Sequence, residues 1–173
     1  MNLYFQDESR FGLFTKNGRM LTARSVKPVC KYQQVFQSTY LYGAFSPIDG
    51  NSFMLNLPYC NTDCFQLFLE QFSQQNPNEI KIIVLDNGAF HKAKRLKIPK
   101  DIILIFLPAY SPELNPAEKM WQKYKRAFTN KIFNTIDEIE NFIMIECKKC
   151  TKETVKSICS YEYVFLSTFW SNM

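Results

Sequence analysis

The sequence predicts an α/β protein on a mixed sheet, antiparallel on one side and parallel in the centre. Two observations carry that prediction. The first half alternates short β-prone segments with turn clusters, as an antiparallel meander does. The second half holds two nearly continuous apolar runs, Ile80–Leu85 and Ile102–Leu107, which read as strands covered on both faces. With 173 residues, 46% of them hydrophobic, the chain is about one domain in size and can bury a substantial core.

In chain order, Leu3–Phe5 is a short β-prone stretch that runs into Asp7. Arg19–Ala23 and Gln37–Phe45 read as strands, the latter rich in β formers from Tyr40 to Phe45. Ser46 to Asn51 is a turn cluster, and Ser52–Leu57 is a further strand. Asn61-Thr62-Asp63 offers helix caps. Cys64, Phe65, Leu67, Phe68, Leu69 and Phe72 then form a broad apolar face at helical spacing, ended by Asn76-Pro77-Asn78. Ile80–Leu85 stops at Asp86-Asn87-Gly88, and a short basic helix is expected around Lys92–Leu96. Ile102–Leu107 stops at Pro108. Asn115-Pro116-Ala117-Glu118 has the form of a helix start, with Asn as N-cap, Pro at N1 and Glu at N3, and this helix should run to about Asn130. Another helix is expected from about Ile136 to Lys149. The stretch from Thr151 carries Tyr161, Tyr163, Phe165, Phe169 and Trp170, so it should pack rather than dangle. Residues 1–150 therefore form the expected domain, and 151–173 an aromatic-rich extension packed on it or on a partner.

No apolar run approaches the ~20 residues that span a bilayer, and the first residues lack the pattern of a signal peptide. A cytoplasmic protein with reduced thiols is expected, with no membrane partner. Cys147-Lys-Lys-Cys150 has metal-like spacing, but a structural zinc site needs four ligands and the only histidine, His91, is far away in sequence.

The net charge of +5 is unevenly spread. Residues 1–80 net zero, 81–131 net +7 and 132–173 net −2. A concentrated basic segment suits a polyanion, nucleic acid first, although a solvated lysine-rich face would look the same.

Three acids stand at informative places. Asp7 lies at the first strand, Asp86 ends a buried strand, and Glu118 is in the first turn of a helix after the next one. Functional groups in open α/β sheets gather at the carboxyl ends of strands. If the first strand lies parallel to Ile80–Leu85, Asp7 and Asp86 become neighbours, and Glu118 can reach the same edge. Clustered carboxylates suit hard divalent cations, and two such ions about 3.5–4 Å apart make a phosphoryl-transfer site. Each acid also has an ordinary reading. Asp7 could be a strand-end acid with Glu8 beside it on the opposite face, Asp86 part of a turn, and Glu118 only a capping-box member. A phosphatase with a strand-end Asp nucleophile would want an acid two residues later, but Asp7 is followed by Glu8-Ser9 and Asp86 by Asn87-Gly88.

Beyond composition and spacing, three blocks resemble a known family. Leu85-Asp86-Asn87-Gly88-Ala89-Phe90-His91-Lys92 resembles the second-aspartate block of DDE transposases, and Leu107 to Glu118 (LPAYSPELNPAE) resembles their third-acid block. Phe5 to Gly12 resembles the first-aspartate block, and Trp121 and Lys125 also match. The resemblance covers about residues 3–145 and is to the bacterial insertion-sequence branch of the mariner-like superfamily, the DDE superfamily endonuclease domain. It implies an RNase H-like fold with strand order 3-2-1-4-5. It also implies that Asp7, Asp86 and Glu118 bind two Mg²⁺ or Mn²⁺ ions. In the implied reaction, water cuts phosphodiester bonds at the transposon ends, and the freed 3′-hydroxyl then attacks target DNA in one transesterification.

The partners implied are transposon-end and target DNA, with a homodimer on DNA. Lys92, Lys94, Arg95, Lys123, Lys125 and Arg126 are the candidate phosphate contacts. Asn87, His91, Tyr110, Ser111 and Asn115 are expected to support the acids from behind. Relatives carry an N-terminal helix-turn-helix region ahead of the catalytic domain, which is not expected in this chain, so end-specific binding by it alone is not expected. The alternative reading is a non-catalytic DNA-binding or assembly module derived from a transposase.

Overall fold

The computed structural model describes residues 1–166. Five strands, β1 (Asn2–Gly12), β2 (Ser38–Phe45), β3 (Ser52–Leu57), β4 (Lys81–Leu85) and β5 (Ile102–Phe106), form one sheet in the order β3-β2-β1-β4-β5. β1 pairs antiparallel with β2 and parallel with β4, β2 pairs antiparallel with β3, and β4 pairs parallel with β5. The mixed sheet and its order are those expected. The helices are α1 (Thr62–Gln74), α2 (Ala117–Phe128), α3 (Ile136–Lys148), α4 (Lys152–Cys159) and α5 (Glu162–Leu166). Among the described residues, no helix is long and apolar enough to cross a membrane.

Strand alternation divides the core between the two faces of the sheet. On one face Tyr4, Tyr42, Ile83 and Leu85 pack against Phe65, Phe68, Leu69 and Phe72 of α1. On the other, Phe11, Leu41 and Phe45 meet Met120, Trp121, Tyr124 and Phe128 of α2, with Ile139 and Ile143 of α3 and Val155 and Cys159 of α4. Leu3, Phe5, Ile82 and Val84 continue that face beneath Val164 of α5. The helix starts are capped as their chemistry requires: Asn61, Thr135 and Thr151 each accept a hydrogen bond from the backbone N–H three residues on. Of the aromatic residues named in the extension, Phe169 and Trp170 lie outside the described residues.

Four sequence expectations are corrected. Arg19–Ala23 is not a strand; residues 13–37 form an irregular excursion between β1 and β2. The segment leads out of β1, whose two edges are already taken by β2 and β4, and it reaches neither outer edge of the sheet. The basic stretch after β4 is a 3₁₀ turn at Ala89–Lys92 that stops before the expected Lys92–Leu96 helix. No side chain caps it, and Lys92, Lys94, Arg95 and Lys97 would repel one another along a helix. β5 is an edge strand, and its Ile103 and Ile105 are exposed among the described residues instead of being covered on both faces. Lys81 does not belong to a basic surface: it is fully buried, with Nζ 3.0 Å from Asp101 Oδ2 and 3.1 Å from the Asn76 carbonyl oxygen.

Candidate active site

The parallel register between β1 and β4 sets the site. Phe5 pairs with Val84, so two residues further along Asp7 stands level with Asp86 just past the carboxyl end of β4. Glu118 arrives from the first turn of α2. Asn115 aims that helix: its Nδ2 donates to the Gln6 carbonyl at 2.9 Å, and its Oδ1 accepts from Ala117 N at 3.1 Å. The side chain thus ties the start of α2 to β1, although the N-cap is Pro116 rather than the expected Asn115, which puts Glu118 at N2 instead of N3. The backbone N–H of Asn115, which a capping box would give to Glu118, goes to the Pro112 carbonyl instead. Glu118 is therefore spared that ordinary role.

Asp7, Asp86 and Glu118 line one open cavity of about 430 Å³. Asn87, Tyr110, Ser111 and Asn115 line it too, with Gly88 and the prolines 108 and 112. Asn87 Nδ2 donates to the Leu107 carbonyl and so joins the ends of β4 and β5. Tyr110 sits in the left-handed region, φ 59°, between the two prolines, and its ring is exposed at the rim. No basic side chain among the described residues lines the cavity. Among the described residues no three acidic, histidine or cysteine side chains surround a single point as a closed metal site would.

The three acids have different environments. Asp7 is pushed up to about 8, first by burial and then by the nearby charges of Glu8 and Glu118. Its Oδ2 accepts a hydrogen bond from Trp121 Nε1 at 2.8 Å, which offsets part of that rise. Asp86 is held below the ordinary carboxylate range, chiefly by His91, whose Nδ1 lies 2.9 Å from its Oδ1. That approach is close but not aligned as a hydrogen bond. His91 itself is buried, with Nε2 3.0 Å from Glu8 Oε1. Burial alone would lower its pKa; contact with Asp86 and Glu8 outweighs burial and holds it at about 9.

Trp121 and Gly43 belong to the site although neither announces itself in the sequence as a site residue. The indole looks like packing, yet it holds Asp7. Its spacing of three from Glu118 puts it on the same helix face, and its match to the family's third-acid block is the other signal available. Gly43 is Asp7's cross-strand partner on β2, and a Cβ there would stand 2.6 Å from the Trp121 ring. Only glycine leaves room for the indole.

The candidate phosphate contacts lie outside the cavity. Lys92 extends over the Phe106 ring at 4.8 Å, Lys94 is exposed, and Arg95 pairs with Asp63 of α1 at 3.1 Å. Lys123, Lys125 and Arg126 follow Glu118 along α2, where Lys123 lies 4.9 Å from the Tyr124 ring centroid.

This sheet order, flanked by helices, is the RNase H-like fold, and solved structures of that class resemble the chain. The Mos1 strand transfer complex matches with a TM-score of 0.71 and 14% identity, covering 91% of this chain and 50% of that one. The Mos1 mariner paired end complex with Mn matches at 0.67 and 15%, covering 91% and 51%. The chain thus spans about half the length of these transposases. In sequence, residues 2–140 match the DDE superfamily endonuclease family, and the chain belongs to that family. A Sinorhizobium fredii (strain NBRC 101917 / NGR234) protein, "Uncharacterized protein y4pE/y4sA", is 37% identical over 102 residues, covering 58% of this chain and 76% of the relative.

Proposed function

We propose that this chain is the catalytic domain of a DNA transposase that cleaves phosphodiester bonds at transposon ends and joins the 3′-hydroxyl to target DNA by transesterification. The observation that carries this reading is the meeting of Asp7, Asp86 and Glu118 on one cavity from three separate elements, in a chain of the DDE endonuclease family. Residues 1–150 form the catalytic unit and 151–173 an extension, whose α4 packs on that unit through Val155 and Cys159.

The donor set fits two Mg²⁺ or Mn²⁺ ions. Three hard oxygen ligands face a cavity that no basic side chain of the described residues lines, and Asp7, raised first by burial, is raised further by the charges of Glu8 and Glu118, which dications would offset. Mos1 complexes with Mn and with Mg are consistent with that choice. Bound there, the ions would supply positive charge at the attacking and leaving oxygens of an in-line displacement. The protein's own part is to aim the carboxylates: Trp121 holds Asp7, His91 holds Asp86, and Asn115 holds the helix that carries Glu118. Phosphate oxygens of bound DNA would supply further hard ligands. Lys92, Lys94, Arg95, Lys123, Lys125 and Arg126 contact the DNA backbone on either side, and two copies act together on paired ends.

Calorimetric titration with Mn²⁺ tests the reading, on the wild type and on Asp86→Ala, each with and without pre-cut end DNA. Binding in the wild type that is lost in the variant is expected, followed by strand transfer that is lost in the same variant. A folded wild type that binds no Mn²⁺ even with DNA present would overturn the proposal and favour a non-catalytic DNA-binding or assembly module.

A further inference from the structure

Glu8 is a buried carboxylate that the chemistry above does not use. Its side chain is 8% exposed, and among the described residues no lysine or arginine pairs with it. Taking a carboxylate out of water is unfavourable unless its partners are well placed. Its two partners meet on one oxygen: Gln6 Nε2 at 2.8 Å and His91 Nε2 at 3.0 Å, both on Oε1. His91 is packed against Phe65 and Phe90, with ring centroids 4.4 and 4.0 Å away. The imidazole is therefore held by aromatic rings and by Glu8 on its far side.

The near side of the ring points at the site. Asp86 is 60% exposed, and an exposed aspartate ordinarily samples several rotamers. Here its Oδ1 is approached by His91 Nδ1 at 2.9 Å and by the Gly88 N–H at 2.9 Å. Both contacts fall on Oδ1, which leaves Oδ2 unclaimed among the described residues. Gly88 permits the approach, since a Cβ there would stand 3.0 Å from His91 Nδ1 and 3.1 Å from Asp86 Oδ1. A buried pair on one side of the sheet thus fixes an exposed carboxylate at its edge. An apolar residue at position 8 would fill the same space without the buried charge, but it would leave the imidazole without its anchor.

We propose that Glu8 is a positioning residue: through His91 it fixes the rotamer of Asp86 and so sets the metal affinity of the cavity. Asp7 and Glu8, adjacent on β1, then serve one site from opposite faces of the sheet, Asp7 directly and Glu8 through the imidazole. The inference rests on the metal-dependent reading above. Partners behind metal ligands typically change affinity about 10- to 100-fold when removed.

The test compares Glu8→Ala, Glu8→Gln and, as a neighbouring buried control on the same strand, Ser9→Ala, by Mn²⁺ calorimetry on the whole chain. Glu8→Ala is expected to weaken Mn²⁺ by about 10-fold or more. Glu8→Gln, which keeps an oxygen for Nε2–H, should recover most of the affinity, and Ser9→Ala should leave it unchanged. Because His91 is the only histidine, ¹⁵N-histidine labelling gives one imidazole to observe. Its Nδ1 signal should move on addition of Mg²⁺, and its Nε2 signal should move in either Glu8 variant. Wild-type affinity in a folded Glu8→Ala protein would overturn the proposal. So would equal weakening by Ser9→Ala, or, should Glu8→Ala not fold, an imidazole in the wild type that ignores Mg²⁺. If instead the wild type binds no Mn²⁺, or Asp86→Ala binds it as the wild type does, the metal reading itself fails and the inference falls with it.

Discussion

Raising the pH of the metal-free protein should weaken its fold, and one imidazole should dominate that loss near pH 8.5. His91 is carried from an ordinary 6.5 to about 9 by Asp86 and Glu8, against the opposing effect of burial. A group whose pKa is raised on folding binds its proton more tightly in the native state. Its contribution is fully present below pH 6.5, declines at about 1.4 kcal/mol per pH unit, and is gone above pH 9, about 3 kcal/mol in all. Asp7 acts in the same direction over a different window. Its carboxyl rises from 3.8 to about 8, so the native state resists ionising it and stability falls between those values. Above pH 8 that effect is complete. The interval from 8 to 9 therefore reports His91 first, ahead of the buried thiols of Cys60, Cys147 and Cys159, whose loss runs from 9.0 upward to about 11 for the first two and about 12 for the third. Urea unfolding followed by circular dichroism in EDTA, at half-unit steps from pH 6 to 9, measures the profile. His91→Gln should flatten the last interval. A wild-type stability that is level between pH 8 and 9, or an unchanged slope in His91→Gln, would refute the assignment.

Three further outcomes are expected. Gly43→Ala places a Cβ 2.6 Å from the Trp121 ring and 2.7 Å from Phe45, so it should cost about 1–3 kcal/mol in urea unfolding and weaken Mn²⁺ binding as Trp121 leaves Asp7. Lys81→Met strands Asp101 and three backbone carbonyls; it should cost about 3 kcal/mol without changing Mn²⁺ affinity, measured by the same two methods. Replacing Lys123, Lys125 or Arg126 by Gln should weaken DNA binding alike on all sequences. Each replacement should also lower the slope of log affinity against log salt by about one, read by fluorescence anisotropy across a salt series.

The mixed sheet was legible in local patterns, while its strand order was legible only through the family resemblance. Buried strands announce themselves as apolar runs, and the carboxyl end of β4 marks where Asp86 stands, while Asp7 lies in the middle of β1, level with it across the parallel ladder. What the sequence hid depends on contacts across the fold. Lys81 counts as a surface cation until β4 is seen to bury it beside Asp101. Strand alternation correctly sends Asp7 and Glu8 to opposite faces, but it suggests that only one serves the site. The imidazole that returns Glu8 to Asp86 comes from 83 residues away. Trp121 reads as core because indoles usually are, and it is indeed 1% exposed while its one polar atom binds Asp7. Arg19–Ala23 has strand-like residues, but β1, from which it leads, is paired on both sides, and such pairing is a property of the sheet rather than of the segment.

The order in which the cavity's parts leave the ribosome has a consequence of its own. Asp7 is made before the cavity's other parts, on the strand that ends in the middle of the sheet. β2 can join it early, through an antiparallel ladder that closes at Gly12 and Ser38. The opposite edge of β1 waits for β4, and Asp7 waits longer still for the indole of α2. Contacts so distant in sequence form slowly. A nascent or prematurely ended chain therefore carries its first aspartate without the second or the glutamate opposite, and the pocket comes into being only as the domain closes.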